Sequence, residues 1–363
     1  MAYEIITDSA SNLTKDLLDK YNLHMISYHV TLNGSDFLCY DPERDYAEAG
    51  KHFYDSMREG ATVSTSLVNT AACEDFFTPF LEQGKDIIFV GISSGLSGTV
   101  QAARIAAEDL MEDYPERKII VIDSMGASLG EGLLVIGLSE RRAEGMTIEE
   151  AALWYEEHKM SMNHIFTVDD LKYLKKGGRI SAAACIVGSI LSIKPVLLAS
   201  DEGKIVSFCN SRGRKKALKE IAEQTIKRIV DPEDQVIAIA HCDAPEDAEY
   251  VASLVREACP VKDVIIRYYD ICTGTHVGPG TVAIFFMGQD RMLDPASDAF
   301  LTQAIRSLKE TGSRIPAGIS AGVTAGVTQA KQLGEKIPAT VKQATQQLGE
   351  KLPVRRNTGK VNG

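Results

Sequence analysis

Residues 86–103, DIIFVGISSGLSGTVQAA, set an apolar run directly before a loop of hydroxyls and glycines and then the start of a helical pattern. The run predicts a buried strand, and the loop delivers Ser93, Ser94, Ser97 and Thr99 to a helix whose N-cap falls near Ser97. Unpaired backbone N–H groups and the helix dipole favour an anion at such a point. The same alternation extends in both directions. Strand-like runs occur at Tyr3–Ile6, Lys118–Ile122, His164–Val168, Gln235–His241, Val264–Tyr268 and Thr281–Met287. Amphipathic helical stretches separate them at Leu13–Tyr21, Tyr46–Arg58, Ala71–Leu81, Val100–Met111, Thr147–His158 and Lys215–Ile229. Strands alternating with helices predict an α/β fold with largely parallel pairing. Asn33-Gly34, between two strand-like runs, predicts a hairpin.

A chain of 363 residues, 44% hydrophobic and 25% charged, has room for two domains with substantial cores. A composition shift near Ser161–Asn163 places the boundary, giving an N-terminal α/β domain over 1–162 and a C-terminal one over 163–290. Residues 291–363 read as a helical start followed by a low-complexity basic tail. From Arg314 onward this tail carries eight basic residues against two acidic ones, and QLGEKIP at 332–338 recurs as QLGEKLP at 347–353. It is a candidate for peripheral contact with an anionic membrane.

The net charge of −11 argues against nucleic acid as a partner, because phosphate binding needs a basic footprint. Cys39, Cys73, Cys185, Cys209, Cys242, Cys259 and Cys272 are scattered and form no C-x-x-C pair, so reduced thiols are expected and a zinc site is not. MAYEIITDSA lacks the basic start and apolar block of an export signal, which suits a cytoplasmic protein. The apolar stretch Ile180–Ala199 is interrupted by Lys194 and Pro195 and reads as a buried helix followed by a strand.

GISSG at 91–95 matches the nucleophile-elbow pattern, and Asp270 and His276 follow in the order of an acyl hydrolase, with Ser93 as nucleophile. Against this, Gly95-Leu96-Ser97-Gly98 prolongs the loop where an elbow needs an immediate helix. No Walker A or dinucleotide spacing is present, so no nucleotide, metal or other cofactor is expected. What remains is STS at 64–66, SSGLSGT at 93–99 and THVGPG at 275–280, each next to a predicted strand. Each hydroxyl taken singly is accounted for by capping its own helix, worth about 1 kcal/mol. Taken together, the hydroxyls and the imidazole form a set of neutral donors for a carboxylate.

The order of motifs resembles the DegV family of bacterial fatty acid-binding proteins. It runs TDSASNL at 7–13, TS at 65–66, SSGLSGT at 93–99, DS at 123–124, YLKKGGRIS at 173–181, IKPVL at 193–197, RGRKKAL at 212–218 and HVGPG at 276–280. The resemblance implies a two-domain fold like that of dihydroxyacetone kinases, with a mixed sheet in the C-terminal domain. It also implies a long-chain fatty acid held between the domains, without catalytic turnover. It further implies presentation of that acid to a separate fatty acid kinase, which would form an acyl phosphate for phospholipid synthesis. On these positions Thr65 and Ser97 would hold the carboxylate, supported by His276, Ser93 and Ser94, with Asp8 and Ser9 as orienting groups. Arg179, Arg212 and Arg214, with Lys175 and Lys176, would face the kinase. Ala182–Leu191, Val196–Leu198 and Phe76, Phe77 and Phe80 are the expected tunnel lining. The chain departs from the family pattern at Leu67-Val68, where the loop lacks the proline that would fix its backbone.

Overall fold

Strands buried on both faces read as continuous apolar runs, and the helices that cover them read as one-sided patterns. In the computed structural model, which describes residues 3–180 and 193–291, the first half of the chain opens with β1 (Tyr3–Asp8), α1 (Lys15–Lys20), β2 (His24–Ile26), β3 (His29–Leu32) and β4 (Ser35–Leu38). It continues with α2 (Tyr46–Arg58), β5 (Val63–Ser66), α3 (Thr70–Glu82), β6 (Asp86–Gly91), α4 (Thr99–Asp113), β7 (Ile119–Asp123), α5 (Ser128–Ala143) and α6 (Ile148–His158). The second half comprises β8 (Met162–Thr167), α7 (Lys172–Gly177), β9 (Ile193–Ala199), β10 (Ile205–Arg212) and α8 (Arg214–Arg228). It ends with β11 (Val236–His241), α9 (Pro245–Ala258), β12 (Asp263–Tyr268), α10 (Ile271–Val277) and β13 (Val282–Met287).

The fold is α/β, as the alternation predicts. The N-terminal sheet has the order β2-β1-β6-β7 and every pairing in it is parallel. The C-terminal sheet has the order β10-β9-β8-β13-β11-β12, with β11 and β12 parallel and the other pairs antiparallel. A third, antiparallel sheet has the order β4-β3-β5. Its hairpin turns at Asn33-Gly34, where φ is +50° and +86°, the left-handed pair that a two-residue turn requires. Every residue of β1 and β6 is buried, so these two strands form the centre of the N-terminal core. No described helix is long and apolar enough to cross a membrane.

The structure departs from the expected elements in several places. Helix α4 begins at Thr99 with Gly98 as its N-cap, one residue later than the expected cap at Ser97, because Ser97 Oγ accepts the Thr99 N–H at 3.3 Å from outside the helix. Thr65, expected where a strand ends, pairs with Val30 inside β5. Helix α10 occupies Ile271–Val277, where the sequence suggests only a loop before β13, and Asp270 starts it by accepting the Thr273 N–H at 2.8 Å. The expected helix Ala182–Leu191 and the tail beyond Arg291 lie outside the described residues.

Phe77, expected against the tunnel, is fully buried in the core and packs on Phe89 with ring centroids 5.5 Å apart. Phe77→Ala is therefore expected to lower stability by about 3–5 kcal/mol in urea denaturation, the usual cost of deleting a buried aromatic ring.

Candidate functional site

A cavity of about 190 Å³ opens among the loops of both halves, far above the roughly 10–15 Å³ that one water needs. Most of its wall is apolar, with Leu96, Phe166, Leu174, Ile205, Val277 and Phe285 contributing side chains. Phe166 and Phe285 come from the adjacent strands β8 and β13, whose pairing sets them on the same part of the wall. The polar lining comprises Thr65, Ser97, Arg179 and His276, with Tyr28, His164, Thr273 and Lys204 also in the wall.

Thr65 Oγ1 lies 2.9 Å from His276 Nε2, which joins β5 to the end of α10. Burial, together with the nearby Arg179 guanidinium, pushes the His276 imidazole down to about 4, so it is neutral at ordinary pH. With the imidazole proton on Nε2, Thr65 accepts it and turns its own O–H into the cavity. Gly177, the last residue of α7, has to lack a side chain, because a Cβ there would stand 2.5 Å from His276 Nδ1.

Ser97 sits in a tight loop in which the Leu96 and Ser97 N–H groups donate to the Ser93 carbonyl oxygen at 2.9 and 3.1 Å. Arg179 reaches this loop by donating from Nε to the Leu96 carbonyl oxygen at 3.1 Å, and it also bonds the Gly177 carbonyl oxygen. Both acceptors are neutral, so among the described residues the guanidinium has no carboxylate partner. Farther along the wall, His164 receives the Ala127 N–H on Nε2 at 3.3 Å and its Nδ1 lies 3.1 Å from the Met162 carbonyl oxygen. Burial and Arg291 push it down to about 3. That wall therefore offers an uncharged surface.

Of the residues singled out in the sequence, Thr65, Ser97 and His276 line the cavity together. Ser93 and Ser94 do not line it. Ser93 is fully buried and donates its hydroxyl to the Gly203 carbonyl oxygen at 2.8 Å, and exposed Ser94 bonds Asp123 Oδ1 through its backbone N–H at 3.1 Å. Asp8 and Ser9 lie behind the site. Asp8 accepts the N–H groups of Ala10 and Ile92, each at 2.9 Å, and Ser9 Oγ accepts the Tyr28 N–H at 3.0 Å.

Arg179 is displaced from its expected place on a partner-facing surface into the cavity wall, because Gly178 in the left-handed region ends α7 and turns the chain toward Leu96. Arg212 is exposed at the end of β10. Arg214 is engaged within the chain, donating from Nε to Asp247 at 2.7 Å and bonding the Gly280 carbonyl oxygen. Val196–Leu198 and Phe76, Phe77 and Phe80 are absent from the described lining.

The hydrolase arrangement does not assemble. Ser93 is bonded to Gly203, His276 to Thr65, and Asp270 to Thr273, so these three do not form a chain. Sequence reading missed Tyr28, Leu96, Phe166 and Phe285 in the wall; the apolar runs of β8 and β13 were the available signal for the two phenylalanines.

A two-halved α/β protein with a mostly apolar cavity, closed at one place by hydroxyls, a neutral imidazole and one guanidinium, has the layout of a binder of small amphiphiles. The comparisons agree. The family described as "Uncharacterised protein, DegV family COG1307" matches residues 2–289, and the chain belongs to the DegV family. A DegV domain-containing protein of Clostridium perfringens is 40% identical over 289 residues, covering 80% of this chain and 98% of that protein. Among solved structures, a DegV lipid binding protein of Thermotoga maritima matches with a TM-score of 0.69 and 26% identity, over 80% of this chain and 100% of that one. A fatty acid-binding DegV family protein of Thermus thermophilus matches with a TM-score of 0.69 and 27% identity, over 78% and 99% of the two chains.

The neutral His276 carries a pH signature. Its stabilising contribution is complete above the unfolded value near 6.5 and is lost as pH falls toward 4, because the unfolded chain takes up the proton first. The stability difference between the protein and its His276→Gln variant, measured by urea denaturation, should shrink steadily from pH 7 to pH 4.5.

Proposed function

We propose that this protein binds a long-chain fatty acid, with the carboxylate among Thr65, Ser97, His276 and Arg179 and the alkyl chain along the wall of Phe166 and Phe285. The observation that carries the reading is that Thr65 bonds His276, and Arg179 bonds the loop of Ser97, on the wall of a mostly apolar cavity. Each methylene moved out of water contributes about 0.8 kcal/mol, so a long chain supplies most of the affinity. The head group then needs only adequate hydrogen bonds, strengthened by one charged donor. Residues 1–162 and 163–290 act in this reading as two lobes that each supply part of the lining.

The protein acts as a carrier without turnover of its own, in keeping with the Ser93 hydroxyl being spent on a carbonyl oxygen. Presentation of the carboxylate to a separate fatty acid kinase follows from the same reading. The exposed Lys175, Lys176 and Arg212 offer the surface for it. Mixing the loaded protein with a fatty acid kinase and ATP should produce an acyl phosphate trapped by hydroxylamine, and Arg212→Glu should lower the yield without releasing the lipid.

Extraction of the purified protein followed by mass spectrometry should identify a long-chain acid in stoichiometric amount. Thr65→Val and Ser97→Ala are each expected to weaken oleate binding about tenfold or more, the scale of a lost charge-assisted hydrogen bond, with little change in melting temperature. Protein that carries no acid and binds neither added oleate nor palmitate would rule the function out.

A further inference from the structure

Three hydroxyls connect the cavity to a buried acid. Ser97 Oγ lies 3.1 Å from Thr99 Oγ1, Thr99 Oγ1 lies 2.7 Å from the Tyr28 hydroxyl, and that hydroxyl lies 3.2 Å from Asp8 Oδ2. Ser97 and Tyr28 line the cavity, while Asp8 and Thr99 are fully buried.

The phenol has one proton and cannot give it to both neighbours. Two arrangements satisfy the chain. With Asp8 ionised, Tyr28 donates to Asp8, Thr99 donates to Tyr28 and Ser97 donates to Thr99. Ser97 then shows the cavity only lone pairs. With a proton on Asp8 Oδ2, Asp8 donates to Tyr28, Tyr28 to Thr99 and Thr99 to Ser97. The Ser97 O–H is then released to point at a ligand. The Ala10 and Ile92 N–H groups stay bonded in both arrangements, because each carboxyl oxygen keeps a lone pair for its own donor.

We infer that Asp8 is a positioning residue for the head group, taking up one proton when an ionised carboxylate binds, so that the Thr99–Tyr28 relay reverses and Ser97 becomes a donor to the ligand. The inference rests on the fatty-acid reading and adds a proton linkage to it. One proton passes from solvent to Asp8, the three hydroxyl protons change direction, and no bond between heavy atoms forms or breaks.

The surroundings of Asp8 suit this role. Burial pushes its carboxyl up to about 7. The ionisable groups that act on it are Asp270 and Cys272 at α10, Glu131 in α5, Cys73 in α3 and Tyr28, and every one of them is an acid. Burial likewise pushes the Asp270 carboxyl up, to about 6. Glu131 bonds Thr7 and Ser124 at 3.0 and 3.5 Å, outside the hydrogen-bonded relay, and acts on Asp8 through charge. At the cavity end, the lining includes the basic side chains of Arg179 and Lys204, the latter paired with Glu202, and His276, at about 4, is neutral throughout the range of interest. An incoming carboxylate thus adds negative charge near a buried acid poised to accept a proton.

The test is calorimetric titration with decanoate and with decanol, both kept below their aggregation limits, from pH 6.5 to 9. Decanoate is ionised over this whole range and decanol has no charge. The dissociation constant for decanoate should rise several-fold per pH unit above pH 7, and that for decanol should stay level. Thr99→Val breaks the relay without touching Asp8, and Tyr28→Phe breaks it at the next link; either should level the decanoate profile. A level profile in the unmodified protein overturns the inference, and so does a slope that survives in both folded variants, which would assign the effect to charge repulsion alone. Failure of both ligands to bind at any pH would instead defeat the fatty-acid reading on which the relay depends.

Discussion

The carboxyl group of Asp8, sealed at the tip of β1, ties the neighbouring strand tips into one unit. It accepts the Ala10 N–H on one oxygen and the Ile92 N–H on the other, so the turn after β1 and the loop after β6 are held by a single side chain. An ionised carboxyl stripped of water is costly, and its cost is met here partly by these bonds and partly by a rise in proton affinity that favours the neutral form. Tyr28 stacks a third element onto the same group through its hydroxyl, and its backbone is fixed by Ser9. The loop that presents Ser97 is thereby oriented from behind by Asp8, which does not line the cavity, through Tyr28, which does.

In front of that support, polarity is distributed unevenly. The wall built by β8 and β13 is apolar or satisfied internally, with His164 bonded on both ring nitrogens to the backbone. Elsewhere the lining holds the Arg179 guanidinium, the neutral His276 imidazole and the Thr65 and Ser97 hydroxyls, together with Tyr28, Thr273 and Lys204. A ligand with one polar end and a long apolar remainder matches this distribution, because its hydrocarbon loses contact with water while its head meets hydrogen-bonding groups held in place. Preorganisation matters because each donor is held by a second partner. Thr65 is held by His276, Ser97 by Thr99, and Arg179 by two carbonyl oxygens.

The strands were legible because burial on both faces leaves continuous apolar runs; β6, β7, β11 and β13 fall within a residue or so of their expected bounds. The hairpin at Asn33-Gly34 was legible for a local reason, since two left-handed residues in succession have a narrow chemical signature. Helix α5 left a weak trace because glycines at 130, 132 and 137 lower its intrinsic propensity, and tertiary packing overrides that preference. Helix α10 was hidden by its shortness, its polar composition and the glycine within it.

Residue types and their order along the chain were enough to determine an α/β fold, a family, and a hydroxyl–imidazole set drawn from three distant segments. Proximity in space was beyond their reach. That Thr65 meets His276 across 211 positions, that Ser93 turns away to Gly203, and that Arg179 enters the cavity wall depend on how β5, α10 and the end of α7 pack together. The physical reason is that local periodicity encodes which face of an element is buried, whereas a binding site is a meeting of side chains from different elements, decided only once their packing is complete.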